Sequence, residues 1–108
     1  MKLPEKVLID DVEYKIKEVS HRELQLSNED LKSEFWGDTR YKPASIRICE
    51  SMAEDEVKIT LVHEIIHAIL HERGFDQESD DESMVDGLAH AIRMLAKQNP
   101  ELIKQILL

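Results

Sequence analysis

The residues with the clearest chemical potential are His63, Glu64 and His67, which form the pattern H-E-x-x-H. The residues around them favour a helix, and on a helix side chains four residues apart lie on the same face. Both imidazoles can therefore bind a single metal ion. Glu64 would lie beside that ion, where its carboxylate can take a proton from a water molecule as a general base. The pattern predicts a zinc site with hydrolytic chemistry.

The helix that carries this motif is predicted to be central to the fold. On a helical wheel of residues 59–71, the polar residues share an arc of about 100°. They are Thr60, His63, Glu64, His67 and His71. The rest of the circumference is apolar, as expected of a helix buried against other elements. A solvated stripe would more naturally carry Lys, Glu and Gln than histidines every fourth residue, so a metal site is favoured over solvated or core histidines.

A catalytic zinc ion typically has three protein ligands and an open position. The metzincin spacing H-E-x-x-H-x-x-G-x-x-H cannot supply the remaining ligand here, because Leu70 stands at its glycine and Arg73 at its last histidine. A downstream helix offers Glu82 and Asp86 instead. We predict Glu82 as the ligand, with Asp86 accepting a hydrogen bond from the far nitrogen of a ligand histidine.

Other assignments of this ligand stay open. Glu82 is also the fourth residue of a capping-box pattern that begins at Ser79, so it could simply close the start of its helix. In an ideal antiparallel pair of helices Asp86 lies nearer the level of His67 than Glu82 does, which makes Asp86 a competing ligand. His71 is a further candidate.

The first half of the chain is predicted to form a small β-sheet made of two hairpins. Residues 6–19 are predicted to form two strands around a turn at residues 10–11, with apolar and charged side chains alternating in the second strand. Residues 34–37 and 44–50 are predicted to form the second pair, joined by a turn at residues 38–43. The last of these strands lies just before the motif helix, and we expect it to pair with an extended peptide at a sheet edge.

The second half of the chain is predicted to be helical. A capping-box pattern at residues 51–54 is predicted to begin the motif helix, and Gly74 to end it. A second long helix is predicted to begin at residues 79–82, and a short C-terminal helix at residues 99–100. The apolar stripe expected on the second helix consists of Val85, Leu88, Ile92 and Leu95. Strands followed by helices predict one α+β domain over residues 1–108, with the small sheet packed on the central helix.

The composition of the chain excludes several classes of function. A net charge of −9 argues against a nucleic-acid partner, because binding a phosphate backbone requires clustered Lys and Arg. No segment approaches the roughly 20 apolar residues that cross a membrane, and the N-terminus lacks the pattern of a signal peptide. The single cysteine, Cys49, is predicted to be a small buried strand residue. These features predict a cytoplasmic protein with no membrane association.

Residues 51–90 resemble small zincin-type metallopeptidases and are most similar to the ImmA/IrrE-like proteins and their short phage- or prophage-encoded relatives. The motif, the glycine that ends its helix and the downstream acidic residues carry this resemblance. It implies a minimal zincin-like domain with Zn²⁺ as the cofactor. The residues it implies are a general base, Glu64, and the zinc ligands His63, His67 and Glu82. It also implies a protein or peptide substrate inside the same cell, such as a transcriptional repressor.

More than one function stays open at this level. The leading interpretation is a zinc-dependent metallopeptidase related to phages or mobile elements. The alternative is a zinc-binding regulatory module of the same fold that binds a protein partner without cleaving it. Small size and the lack of a Tyr or His in a matching motif favour the module, whereas the intact Glu64 argues against it. A His-rich zinc ribonuclease would need a histidine where Arg73 stands.

Overall fold

The computed structural model describes residues 1–28 and 35–108. Within them the chain forms an α+β fold of four strands and five helices. The elements are β1 (Lys6–Ile9), β2 (Val12–Val19), α1 (His21–Ser27), β3 (Gly37–Tyr41), β4 (Ala44–Cys49), α2 (Glu54–Glu72), α3 (Asp76–Ser79), α4 (Glu82–Gln98) and α5 (Pro100–Leu107). The predicted α+β class, with a small sheet followed by helices, is confirmed.

The four strands form one mixed sheet in the order β1-β2-β4-β3. Both predicted hairpins are present, since β1 pairs antiparallel with β2 and β3 pairs antiparallel with β4. A parallel pairing of β2 with β4 joins them. The turn between β1 and β2 consists of Asp10 and Asp11 with φ of 48° and 71°. A two-residue turn with both φ values positive matches the right-handed twist of a hairpin.

The second hairpin differs from the prediction in its bounds. The sequence predicts a strand at residues 34–37, but β3 begins at Gly37 and the turn is only Lys42 and Pro43. Residue 34 lies outside the described part of the chain. The polar residues of β3 resemble a turn in sequence, yet they are paired in the fold: Asp38 lies opposite Arg47, and the Thr39 hydroxyl contacts Glu64 of α2.

The position of β4 in the sheet also corrects a prediction. This strand lies between β2 and β3 and pairs with both, so it cannot add an extended peptide. In the described part of the chain, the sheet edge nearest α2 and its histidines is β3. A peptide that extends this sheet beside α2 would therefore pair with β3.

The two faces of β4 are both buried, with opposite chemistry. Ile46 and Ile48 are fully buried in the core with Tyr14 and with Ala68 of α2, as expected for alternate residues on one face of a strand. On the opposite face, Arg47 Nε donates to Asp38 Oδ1 over 2.9 Å. Burial alone would raise the pKa of Asp38, but hydrogen bonds from Arg47 and Asn28 outweigh it and hold that pKa below its ordinary value.

The sequence predicts how α2 ends but not how it begins. The predicted capping box at residues 51–54 is wrong, because α2 begins after Ala53 without a side-chain cap. At the other end, Gly74 N–H donates to the His71 carbonyl at 3.0 Å and Phe75 N–H to the Leu70 carbonyl at 2.7 Å. With Gly74 at a φ of 82°, this is a Schellman motif. It ends the helix as predicted and turns the chain back towards α2.

Helix α4 runs antiparallel to α2, since its first turn meets the histidines and Arg93 Nη2 lies 3.3 Å from Asp55 at the start of α2. Its buried face consists of Val85 and Ala89. The predicted apolar stripe is thus only partly buried: Leu88, Ile92 and Leu95 are exposed. Ala89 and Val85 pack with Ile66 of α2 in one buried cluster. No helix in the described ranges is long and apolar enough to cross a membrane.

Candidate metal centre

The structure brings together the residues predicted as metal ligands. His63 and His67 lie one turn apart on α2, and their Nε2 atoms are 3.1 Å from each other. Glu82 extends its carboxylate to both rings, with Oε2 3.0 Å from His63 Nε2 and Oε1 2.8 Å from His67 Nε2. One potential ligand atom from each side chain lies within 4.8 Å of the others.

Glu82 is free to take this position because another residue caps its helix. The side chain of Asp81 accepts a hydrogen bond from Met84 N–H at 3.1 Å and is the N-cap of α4. The capping box expected from Ser79 to Glu82 is therefore wrong. Glu82 is the first residue of α4, and its side chain is 69% exposed, so it can adjust to an ion without disturbing the core.

The other candidates for the third ligand lie outside the cluster. Asp86 Oδ1 is 3.3 Å from Nδ1 of His63, the ring nitrogen that faces away from the cluster. This is the supporting contact that the spacing predicts for Asp86. His71 is directed elsewhere, with its Nδ1 2.6 Å from Asp76 Oδ1 and its ring stacked on Tyr41. Arg73, where a ribonuclease histidine would stand, pairs with Asp10.

The donor set fits a divalent ion such as zinc. Tetrahedral zinc with Zn–N distances of about 2.0–2.1 Å places two ligand nitrogens about 3.3 Å apart, and the two Nε2 atoms are 3.1 Å apart. Two imidazoles and a carboxylate also form the ligand set of catalytic zinc sites that keep an open position. Other divalent metals accept the same ligands, so the donor set alone does not select zinc.

Glu64 lies directly beside this cluster and is only 6% exposed. The Thr39 hydroxyl, on β3, is 2.8 Å from Glu64 Oε1. Burial raises the pKa of Glu64 from 4.5 to about 7, although the charge of His63 and the hydrogen bond from Thr39 oppose the change. A carboxyl group with a pKa near neutrality exchanges its proton readily at physiological pH, as a general base requires.

His67 is also held in a form suited to metal binding. Burial lowers the pKa of His67, although the carboxylate of Glu82 opposes the change. A lowered pKa favours the neutral imidazole, which is the form that binds a metal ion. The far nitrogen of this ring, Nδ1, lies 3.2 Å from the hydroxyl of Ser79 on α3.

Thr39 and Ser79 are site residues that the sequence did not identify. Thr39 falls in a segment predicted to be a turn, and no local pattern marks it as a partner of Glu64. Ser79 looks like a helix cap in sequence, whereas its side chain is buried beneath His67. Their roles depend on β3 and α3 packing against α2, which helical periodicity does not report.

The centre opens into a cleft of about 900 Å³, within the size range of small-molecule and cofactor sites. The two histidines, Glu64 and Glu82 form one part of its lining, and β3 contributes Gly37 to Thr39 and Tyr41. The aromatic rings of Phe35 and Trp36 also line it. An extended chain lying along β3 would therefore pass beside Glu64 and the cluster.

Comparisons with protein-family models, with curated proteins and with solved structures found no match to this chain. The interpretation of the centre therefore depends on its own residues and geometry.

Proposed function

We propose that this protein is a zinc-dependent metallopeptidase with a zincin-like domain, which hydrolyses peptide bonds in a protein substrate inside the cell. The observation that carries the proposal is the enclosed Glu64 carboxyl group next to the cluster of His63, His67 and Glu82. A metal site that is only structural has no need of a buried base beside it. The H-E-x-x-H pattern of residues 63–67, in which a glutamate lies beside two histidines on one helix face, supports the same assignment.

In this proposal His63, His67 and Glu82 hold the ion. Zinc, when bound, supplies Lewis acidity that lowers the pKa of a water molecule and polarises a carbonyl group. Glu64 accepts the proton of the attacking water and returns it to the amine that leaves. Thr39 keeps the Glu64 carboxyl in place through the 2.8 Å contact with Oε1, so that the base need not reorganise during the reaction.

The substrate is proposed to bind as an extended peptide along β3. This strand is the sheet edge nearest the cluster in the described part of the chain, and its residues line the cleft together with Glu64. Main-chain hydrogen bonds to a sheet edge bind peptides with little dependence on sequence, and side-chain pockets then add specificity. The aromatic lining from Phe35 and Trp36 favours an apolar side chain at one position of the substrate.

A zinc-binding module that binds a partner without cleaving it is a second candidate. Its support is the apolar stripe on α4, where Leu88, Ile92 and Leu95 are 41–49% exposed. Apolar groups aligned on one helix face often mark a protein-binding surface. The same stripe would serve an enzyme that holds its substrate outside the cleft, so the stripe and the cleft are compatible with each other.

The experiment that tests the proposal is Glu64→Gln, with Glu56→Gln as a matched control on an exposed part of the same helix. Elemental analysis should find one zinc per chain in the parent and in both glutamine variants, and none in His67→Ala. With a peptide library as the substrate, Glu64→Gln should lose cleavage by about 10²–10⁴-fold, while Glu56→Gln should cleave like the parent.

Two results would reject the peptidase. One is a parent protein that binds no zinc. The other is a zinc-loaded Glu64→Gln variant that performs the cellular function as well as the parent, because the chemistry would then be dispensable and the binding module would be correct.

A further inference from the structure

The hydroxyl of Ser79 lies at the centre of a set of contacts beneath His67. Ser79 is only 4% exposed and is the last residue of α3. Its Oγ is 3.2 Å from His67 Nδ1 and 3.2 Å from the backbone carbonyl oxygen of His67. It is also 3.3 Å from the hydroxyl oxygen of Tyr41. Three polar neighbours surround one hydroxyl group that water hardly reaches.

The hydrogen-bonding capacity of serine decides how these contacts are made. A serine hydroxyl has one proton to donate and two lone pairs that accept. The carbonyl oxygen of His67 can only accept, so the single proton of Ser79 points there. Towards His67 Nδ1 and Tyr41, Ser79 can then only accept. The contact with Nδ1 therefore requires a proton on Nδ1.

This pattern leaves the other ring nitrogen of His67, Nε2, unprotonated. In a neutral imidazole only one nitrogen carries a proton, so Nε2 of His67 keeps its lone pair, and Nε2 is the atom that faces His63 and Glu82. Asp86 imposes the same arrangement on His63, because a carboxylate can only accept from Nδ1. The lone pairs of both rings are thus directed at one point.

We infer that Ser79 is a positioning residue that fixes the tautomer of His67 for metal binding. The inference rests on the metal centre proposed above. Without Ser79, the carboxylate of Glu82, 2.8 Å from Nε2, would draw the proton to that nitrogen and produce the tautomer that cannot bind a metal. Tyr41 supports Ser79 by donating to its second lone pair, and its ring is held by stacking on His71 with centroids 3.8 Å apart.

The test compares the parent with Ser79→Ala and Ser79→Thr in two measurements. Long-range proton–nitrogen NMR of the metal-free protein, prepared with a chelator and kept at a pH where His67 is neutral, reports which ring nitrogen carries the proton. Competition with a chelator gives the zinc affinity. In the parent the proton should be on Nδ1. In Ser79→Ala it should move largely to Nε2, with about 10–100-fold weaker zinc binding. Ser79→Thr keeps the hydroxyl and should restore both properties.

The outcomes separate this inference from the proposed function. A proton on Nε2 in the parent, or a Ser79→Ala variant with the parent's tautomer and zinc affinity, would overturn the role of Ser79 and leave the peptidase proposal standing. A parent that binds no zinc would reject the metal centre, yet the tautomer spectrum would still decide what Ser79 does. If Ser79→Ala fails to fold, the tautomer of the parent and of Ser79→Thr gives the answer.

Discussion

Replacing Glu64 with glutamine is expected to stabilise the metal-free protein even though it removes the proposed base. Glu64 is 6% exposed, and burial raises its pKa from 4.5 to about 7. When no cation is bound, ionisation of this carboxylate therefore lowers the stability of the folded protein. Glutamine has nearly the same shape, is neutral at every pH and keeps an oxygen that accepts from the Thr39 hydroxyl.

The size and the pH dependence of this effect follow from linkage. Between pH 4.5 and about 7 the folded protein holds the Glu64 proton while the unfolded chain has released it. The contribution of Glu64 to stability is thus fully present below pH 4.5 and is lost as the pH rises through about 7. At about 1.4 kcal/mol per pH unit, the loss is on the order of 3 kcal/mol. Glu64→Gln has no ionisable group at this position and should not lose this stability as the pH rises.

Urea unfolding of the metal-free parent and Glu64→Gln, at several pH values between about 4.5 and 8, measures this difference in the free energy of unfolding. The free energy of unfolding of Glu64→Gln should match that of the parent at the acid end and exceed it by about 3 kcal/mol at pH 8. Glu56→Gln should follow the parent throughout. Saturating zinc should reduce the difference, because a nearby cation stabilises the carboxylate. A difference that is constant with pH, or a variant less stable than the parent at pH 8, would refute the reasoning.

Three further predictions concern the ligands and the frame that carries them. Glu82→Gln should weaken zinc binding, measured by chelator competition, far more than Asp86→Asn, for which about 10–100-fold is expected; the reverse order would make Asp86 the ligand. Arg47→Ala removes the main partner of the buried Asp38 carboxylate but leaves Arg40 at 3.5 Å and Asn28 at 3.2 Å. It should therefore cost less than the roughly 3–5 kcal/mol of a fully unpaired buried charge, about 2–3 kcal/mol in urea unfolding, and a cost near zero would contradict a structural role for the ion pair. Gly74→Ala should destabilise by about 1 kcal/mol because of its φ of 82°, whereas Gly87→Ala, inside α4 with open space around it, should stabilise by up to about 1 kcal/mol; equal melting temperatures for the two glycine variants would count against this backbone argument.

The parts of the site that the sequence predicts are those fixed by local geometry. His63 and His67 must share a face once a helix forms, because the helical repeat alone sets their separation. The end of α2 was equally local, since Gly74 adopts a positive φ without steric cost. Glu82 required one further step, the expectation of a downstream helix that packs against the first. The structure brings its carboxylate to the two rings.

The parts that the sequence does not predict depend on contacts between distant elements. Polar residues in β3 suggest a turn until their partners, Arg47 and Glu64, are known. Of the four apolar residues expected on the buried stripe of α4, only Val85 faces the core, together with Ala89, which was not predicted. Periodicity identifies an apolar face, but it does not say which edge of that face meets α2. Ser79 was assigned to a cap because the capping-box pattern is read from neighbouring residues alone, whereas its contact with His67 joins α3 to α2.

The segment between α2 and α4 connects the end of a helix to the chemistry of the centre. The Schellman turn at Gly74 and the short α3 return the chain so that Ser79 reaches Nδ1 of His67 and Glu82 reaches Nε2 of the same ring. The connection of residues 73–81, together with Glu82 directly after it, thus contacts both ring nitrogens of His67, and the two contacts are complementary. Ser79 keeps the proton on Nδ1, and Glu82 contacts Nε2, which is then unprotonated. The spacing of Ser79 and Glu82 is therefore part of the proposed site, because one side chain must reach Nδ1 and the other Nε2 of the same ring.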